Sequence, residues 1–402
     1  MKYIVMLGDG MADLPLEEIG GKTPLDVAKK PNIDRLAKKS RLGMVKTVPD
    51  ELPPGSDVAN LSVMGYNPLD CYTGRSPLEA VSMGINLLDS DVAIRCNIVT
   101  LSGEEEYADR TMLDYSAGEI TTEEAKELIL AVQNALGTDE FKFNEGISYR
   151  HCLVWDKGIT GLELVPPHDI SDKDIKEYLP KNEKILDLMV KSYDVLKNHP
   201  INKSRIERGL KPGNSIWLWG EGTKPAVFNF SEHYGVKGAV ISAVDLLMGI
   251  GMSAGMKIIK VEGATGNEHT NFKGKCEAAF NSLTKENCDF VYIHVEAPDE
   301  CGHRGDLKNK IYSIEKIDEE IVGPLLEKLN EANEEYSIMV LPDHPTPVAL
   351  KTHTMDPVPF LLYRSNKEIN SGIDTYSETA CASTGDVEIN GYKLMGQLLQ
   401  RD

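Results

Sequence analysis

The sequence predicts an α/β protein, a mostly parallel sheet covered by helices with a smaller α+β domain inserted into it. Three observations lead there. Apolar strand-like runs alternate with helical patterns in both the first and the last part of the chain. Several of those runs end on an Asp or a His, the side chains that metals prefer. Between residues 89 and 214 the alternation gives way to a self-contained group of helices and strands.

The first strand, roughly residues 2 to 8, is nearly continuous in apolar residues, as expected for a parallel strand buried on both faces. Asp9 follows at its carboxyl end, the edge where open α/β sheets gather ligands. Residues 24 to 39 read as the returning helix, with Leu25, Ala28, Ile33, Leu36 and Ala37 on its inner side and a break at Pro31. In the insertion, Thr121-Thr122-Glu123-Glu124 opens a helix that runs through Leu128, Ile129, Val132 and Leu136 and stops at Gly137. A strand at about 147 to 155 and a helix at about 181 to 197 follow, and the unit closes in the Gly209 to Gly213 turn region. Strand-like runs resume at Ser215 to Trp219, Met256 to Val261, Phe290 to Val295 and Ser337 to Leu341, between helical patterns at 239 to 248, 273 to 285 and 309 to 330. Residues 1–88 and 215–402 then form one discontinuous metal-binding domain, and 89–214 the inserted domain.

At 402 residues the chain fits about two domains. Its 41% hydrophobic and 26% charged content excludes a disordered or fibrous protein. A net charge of −20 repels nucleic acid and anionic membranes, so a phosphorylated substrate needs a local cationic site. Seven widely spaced cysteines without a Cys-x-x-Cys suggest neither a disulfide framework nor a thiolate zinc site, and a reducing cytoplasm is the expected compartment. The N-terminal apolar run is too short for a signal peptide, and the stretch 238 to 259 is interrupted by Asp245 and glycines, which argues against a membrane span.

The chemistry gathers in seven residues: Asp9, Ser56, Asp299, His303, Asp343, His344 and His353. Three Asp and three His supply oxygen and imidazole donors suited to Mn²⁺, Zn²⁺ or Mg²⁺, with Co²⁺ also compatible, and Ser56 lies on the Gly-flanked turn Pro54-Gly55-Ser56-Asp57 as a nucleophile. Two such cations roughly 4 Å apart clamp the attacking and leaving oxygens of an in-line displacement. Alone, the Asp299 and His303 pair is weak, because a solvated Asp and an incidental His would look the same. Asp343-His344 after the next strand, His353 beyond it and Asp9 after the first make coincidence a poor account.

These motifs carry a resemblance. Gly8-Asp9-Gly10, Pro54-Gly55-Ser56-Asp57-Val58, Asp299-x-x-x-His303, Asp343-His344, His353 and Tyr72-Thr73-Gly74-Arg75-Ser76-Pro77-Leu78-Glu79 look like the alkaline phosphatase superfamily, and closest to the short, archaeal-type cofactor-independent phosphoglycerate mutases, over almost the whole chain. The resemblance implies an alkaline-phosphatase-like fold, with Asp299, His303 and His353 on one metal and Asp9, Ser56, Asp343 and His344 on the other. It implies interconversion of 3-phosphoglycerate and 2-phosphoglycerate, a step of glycolysis and gluconeogenesis, through a phosphoserine on Ser56, with two divalent metals (Mn²⁺ foremost) and the insertion closing over the substrate. The stretch Asp57 to Asn60 departs from the longer bacterial mutases, lacking the Glu and His found there. A phosphatase, or a phosphotransferase with another acceptor such as a homoserine kinase, is the alternative on the same core.

Arg75, Arg95, Arg110 and Arg150 are candidates for gripping the substrate's phosphate and carboxylate, each against the alternative of a surface ion pair, with Arg150 favoured to face the cleft. His294, inside an apolar strand, reads as a core histidine, and Trp217 and Trp219 as packing at the domain junction. Gly249 to Gly255 resembles a dinucleotide loop but follows a helical pattern, and no ATP phosphate loop is present. The Glu104 to Glu106 run reads as a solvated turn.

Overall fold

The computed structural model describes residues 1–401. The chain divides into two compact units, residues 1–72 with 226–402, and residues 73–225. Its strands are β1 (Lys2–Gly8), β2 (Arg41–Val45), β3 (Val92–Leu101), β4 (Met112–Asp114), β5 (Phe141–Asn144), β6 (Arg150–Trp155), β7 (Ser215–Thr223), β8 (Gly238–Ile241), β9 (Lys257–Ile259), β10 (Phe290–Val295), β11 (Tyr336–Leu341), β12 (Val358–Arg364) and β13 (Val387–Glu388).

The larger unit is built on an eight-stranded sheet in the order β13-β2-β12-β11-β1-β10-β8-β9. Strands β11, β1, β10, β8 and β9 run parallel, while β12 is antiparallel to both β11 and β2. The central strands read Val-Ile-Met rich because both of their faces are covered, and Ile4, Val5, Met6, Leu7 and every residue of β10 and β11 are buried. One core cluster joins Ile4, Met6, Ile293 and Val340 to Ile33, Leu36, Ile314 and Leu325 of the covering helices. The break expected at Pro31 is present, since Pro24–Val27 and Pro31–Ala37 are separate helices.

The smaller unit carries an antiparallel sheet, β4-β3-β6-β5, with β7 paired to the other edge of β3. Helix Thr122–Leu136 begins where its cap predicts, the Thr121 hydroxyl accepting from the Glu124 N–H, and helix Glu183–Leu196 packs beside it.

Three expectations are corrected. The unit boundaries fall at 72/73 and 225/226, not at 88/89 and 214/215. Helix Arg75–Ser82 packs on β3 and β7, and Ser215 to Trp219 pairs with β3 instead of extending the parallel sheet, so both segments belong to the insertion. The helical pattern at 239 to 248 is in fact β8 followed by helix Asp245–Ser253, because Ala239, Val240 and Ile241 are fully buried between β10 and β9. Gly249 and Gly251 lie inside that helix and form no dinucleotide loop. Trp217 is a core residue of the smaller unit, its indole N–H donating to the Val165 carbonyl at 2.8 Å.

Candidate active site

In the larger unit, parallel register delivers the site residues to one sheet edge. Asp9 follows β1, Asp343 and His344 follow β11, and Asp299 and His303 lie on helix Ala297–Arg304 directly after β10. Gly10, at φ 59°, makes the close approach possible: a Cβ there would stand 2.7 Å from the Asp299 Cα. Its N–H instead donates to Asp343 Oδ1 at 3.1 Å.

Ser56 is the first residue of helix Ser56–Val63, and its Oγ lies 3.1 Å from His344 Nε2. Asn60, one turn on, holds the helix to the sheet. Its amide donates to both the Ser56 carbonyl and Asp343 Oδ2 at 2.8 Å and accepts from the Tyr292 hydroxyl at 2.6 Å.

The remaining donors converge on one another. His303 Nε2 is 3.3 Å from Asp299 Oδ2 and 2.9 Å from His353 Nε2, and His353 Nε2 is 3.4 Å from Asp299 Oδ1. His344 Nε2 lies 3.4 Å from Asp343 Oδ2 and 3.7 Å from Asp9 Oδ1. Two groups have ligand atoms close enough to share an ion, Asp9 with Asp343 and His344, and Asp299 with His344 and His353.

The electrostatics of this arrangement call for cations. Burial, followed by Asp343, Asp299 and Glu296, pushes the Asp9 carboxyl well above the usual carboxylate range. Burial also works against ionising Asp299, but His303 and His353 outweigh it and hold that carboxyl well below its ordinary value. Asp299 in turn lifts His303 to about 9, while burial lowers His344. Asp9 Oδ1 is buried with no hydrogen-bond partner. An orphaned carboxylate oxygen amid three Asp and three His fits divalent cations and leaves the arrangement unbalanced without them.

In the smaller unit three of the four candidate arginines come together. Arg95 bonds Glu79 at 3.1 Å and stacks on Trp219 with its guanidinium 4.2 Å from the ring, Arg75 bonds the same Glu79 at 2.8 Å, and burial followed by the charges of Arg75 and Arg150 lowers the Arg95 value. Arg150 is exposed beside Tyr149. Arg110 is different. It is buried, donates to the Ser102 and Glu105 carbonyls at 2.7 and 3.2 Å and lies against Tyr193, so it ties a loop down, while its Nε is buried without a hydrogen-bond partner. Sequence reasoning missed His168, whose ring meets Trp219 and Tyr115 and whose value is lowered by burial, against Asp169, with Arg95 and Arg75 adding to the lowering; a lone His in the sequence gives no signal of it.

Residues 37–202 match the family model of 2,3-bisphosphoglycerate-independent phosphoglycerate mutase. A relative from Geobacter sulfurreducens, described as a probable 2,3-bisphosphoglycerate-independent phosphoglycerate mutase, is 52% identical over all of both chains. The chain belongs to this family. Its mutase relatives include one from Methanosarcina barkeri, 46% identical over both full lengths. Among solved structures, a Pyrococcus horikoshii protein aligns over 100% of this chain and 98% of its own with a TM-score of 0.82 and 28% identity. The cofactor-independent phosphoglycerate mutase of Thermoplasma acidophilum aligns over 100% and 99% with a TM-score of 0.68 and 26% identity. The mutase family is one of isomerases, and this member is an enzyme of that class. None of its described helices is long and apolar enough to cross a membrane.

Proposed function

We propose that this mutase interconverts 3-phosphoglycerate and 2-phosphoglycerate through a phosphoserine on Ser56, with Asp299, His303 and His353 holding one divalent cation and Asp9, Ser56, Asp343 and His344 a second. The observation that carries the reading is Ser56 Oγ at 3.1 Å from His344 Nε2, at the edge of a donor set whose Asp9 Oδ1 has no hydrogen-bond partner. Divalent cations, Mn²⁺ foremost, would supply charge neutralisation for the phosphoryl group and lower the cost of ionising the serine.

Ser56 at the first turn of its helix meets an anion with the positive end of the helix dipole. Its oxygen forms a bond to phosphorus as the bond to the glycerate 3-oxygen breaks, and the serine proton ends on that leaving oxygen. The reverse transfer to the 2-hydroxyl regenerates Ser56. Asn60 holds Ser56 and Asp343 in fixed relation throughout. Arg75, Arg95 and Arg150 are assigned to the substrate's anionic groups. The step is one of glycolysis and gluconeogenesis, in the cytoplasm.

The test is to incubate manganese-loaded protein with 3-phosphoglycerate, without bisphosphoglycerate, and to measure 2-phosphoglycerate and free phosphate. Wild type should form 2-phosphoglycerate and a trappable phosphoserine, and Ser56→Ala should form neither while still binding metal. Net release of phosphate without 2-phosphoglycerate would identify a phosphatase instead.

A further inference from the structure

Asp9, His294 and Ser242 stand in a row across three adjacent parallel strands. His294 is opposite Leu7 in the β1–β10 register, Ser242 directly follows β8, and Asp9 directly follows β1. His294 Nε2 is 2.8 Å from Asp9 Oδ2, and His294 Nδ1 is 3.1 Å from Ser242 Oγ. The imidazole is fully buried, and its backbone carbonyl accepts from the buried Lys275 ammonium at 2.8 Å.

We infer that His294 is a positioning residue for Asp9: held as the Nε2–H tautomer by Ser242, it binds Asp9 Oδ2 and leaves Oδ1 as the one oxygen offered to a cation. This deepens the two-cation reading above and rests on it.

An ionised Asp9 can only accept, so the His294 nitrogen 2.8 Å from its Oδ2 carries the hydrogen. Ser242 Oγ accepts the Val244 N–H at 3.0 Å and has its own hydrogen to give to His294 Nδ1. In the neutral ring Nδ1 is then bare and accepts the Ser242 hydrogen. The two oxygens of Asp9 consequently differ, since Oδ2 is hydrogen-bonded and Oδ1 is not. A carboxylate free to rotate would present either oxygen or both, and the fixed ring removes that freedom.

The experiment titrates Mn²⁺ into metal-free wild type, His294→Phe, His294→Gln and Ser242→Ala, reading free Mn²⁺ by electron paramagnetic resonance. Wild type should bind two ions. His294→Phe should weaken one of the two sites by roughly 10- to 100-fold and leave the other within about two-fold, and His294→Gln, which keeps an N–H donor, should recover most of the loss. Ser242→Ala should weaken the same site by a smaller factor. Unchanged affinities in His294→Phe, or an equal loss at both sites, would overturn the inference while leaving the two-cation reading in place; wild type binding no Mn²⁺ would end both. Histidine-labelled wild type gives a test that needs no variant to fold. Long-range proton–nitrogen spectra should show His294 as the Nε2–H tautomer from pH 6 to 8, and an Nδ1–H signal would refute it.

Discussion

Lys310 is a fully buried charge of the larger unit with every donor engaged. Its ammonium bonds Asp13 Oδ2 at 2.7 Å, the Thr346 carbonyl at 2.8 Å and the Ala12 carbonyl at 3.1 Å, and neither Lys310 nor Asp13 has any exposed side-chain surface. Those carbonyls belong to the loops after β1 and β11 that carry Asp9, Asp343 and His344. Lys310→Met keeps the length and apolar stem but strands a buried carboxylate. Breaking one side of such a pair costs about 3 to 5 kcal/mol, although the Val348 and Leu14 N–H groups still reach Asp13 and favour the lower end. In a unit of this size that corresponds to a fall in melting temperature of roughly 10 °C. Far-UV circular dichroism is the probe of choice, because all three tryptophans, at 155, 217 and 219, lie in the smaller unit. Asp13→Asn in the Lys310→Met background removes the stranded charge and should recover part of the loss. A single-variant loss under about 1 kcal/mol, or no recovery in the double variant, would refute the assignment of Lys310 as the clamp between these loops.

Other outcomes follow from the same geometry. His303, lifted to about 9 by Asp299, is charged at pH 7.5 in the metal-free protein, so loading the site at that pH should release about one proton or more, and less as the pH passes 9; calorimetry in buffers of differing ionisation enthalpy reads this directly. Without metal, the same pair stabilises the fold fully below the unfolded histidine value near 6.5, and that contribution should be lost as pH rises through about 9. Glu378, which accepts the Asp13 N–H at 3.0 Å and the Thr23 hydroxyl at 2.6 Å, is pushed by burial to about 7. Its folded value lies above the unfolded one, so stability should fall as pH climbs from about 4.5 to 7, by on the order of 2 kcal/mol, and Glu378→Gln should flatten that slope in melts at pH 5 and 8. Arg150→Ala should move the products of 3-phosphoglycerate from 2-phosphoglycerate towards free phosphate by ten-fold or more, a bidentate carboxylate contact being worth about 2 kcal/mol; an unchanged ratio and affinity would remove Arg150 from the substrate's contacts.

The legible parts of the fold were those where burial on both faces writes a continuous apolar run. Strands β1, β10 and β11 were read nearly to the residue, and Asp9, Asp299 and Asp343 just past their ends followed. The same signal misled at Ser215 to Trp219, since an apolar run reports that a strand is covered and not which sheet it joins. At 239 to 248 a four-residue strand and the start of a helix together mimic helical periodicity. Buried lysines are illegible for a related reason: Lys310 and Lys275 sit among helical patterns where a charge normally marks the solvent side, and only the partners from distant segments explain them. His294 was correctly placed in the core, but its bond to Asp9 comes from strand register, which one chain's sequence does not display.

The position of β1 sets an order of assembly. It precedes the other strands of its sheet, and its two neighbours, β10 and β11, begin only at residues 290 and 336. A ribosome-bound chain therefore carries an apolar strand with both edges open while nearly three hundred further residues are added, and the insertion, whose sheet and helices are contiguous in sequence, can be complete long before. The most aggregation-exposed species of this protein is then a nascent one, half finished, with its catalytic edge unassembled. Until β10 and β11 arrive, Lys2–Gly8 offers two unpaired edges to other chains, a liability that the finished sheet no longer carries.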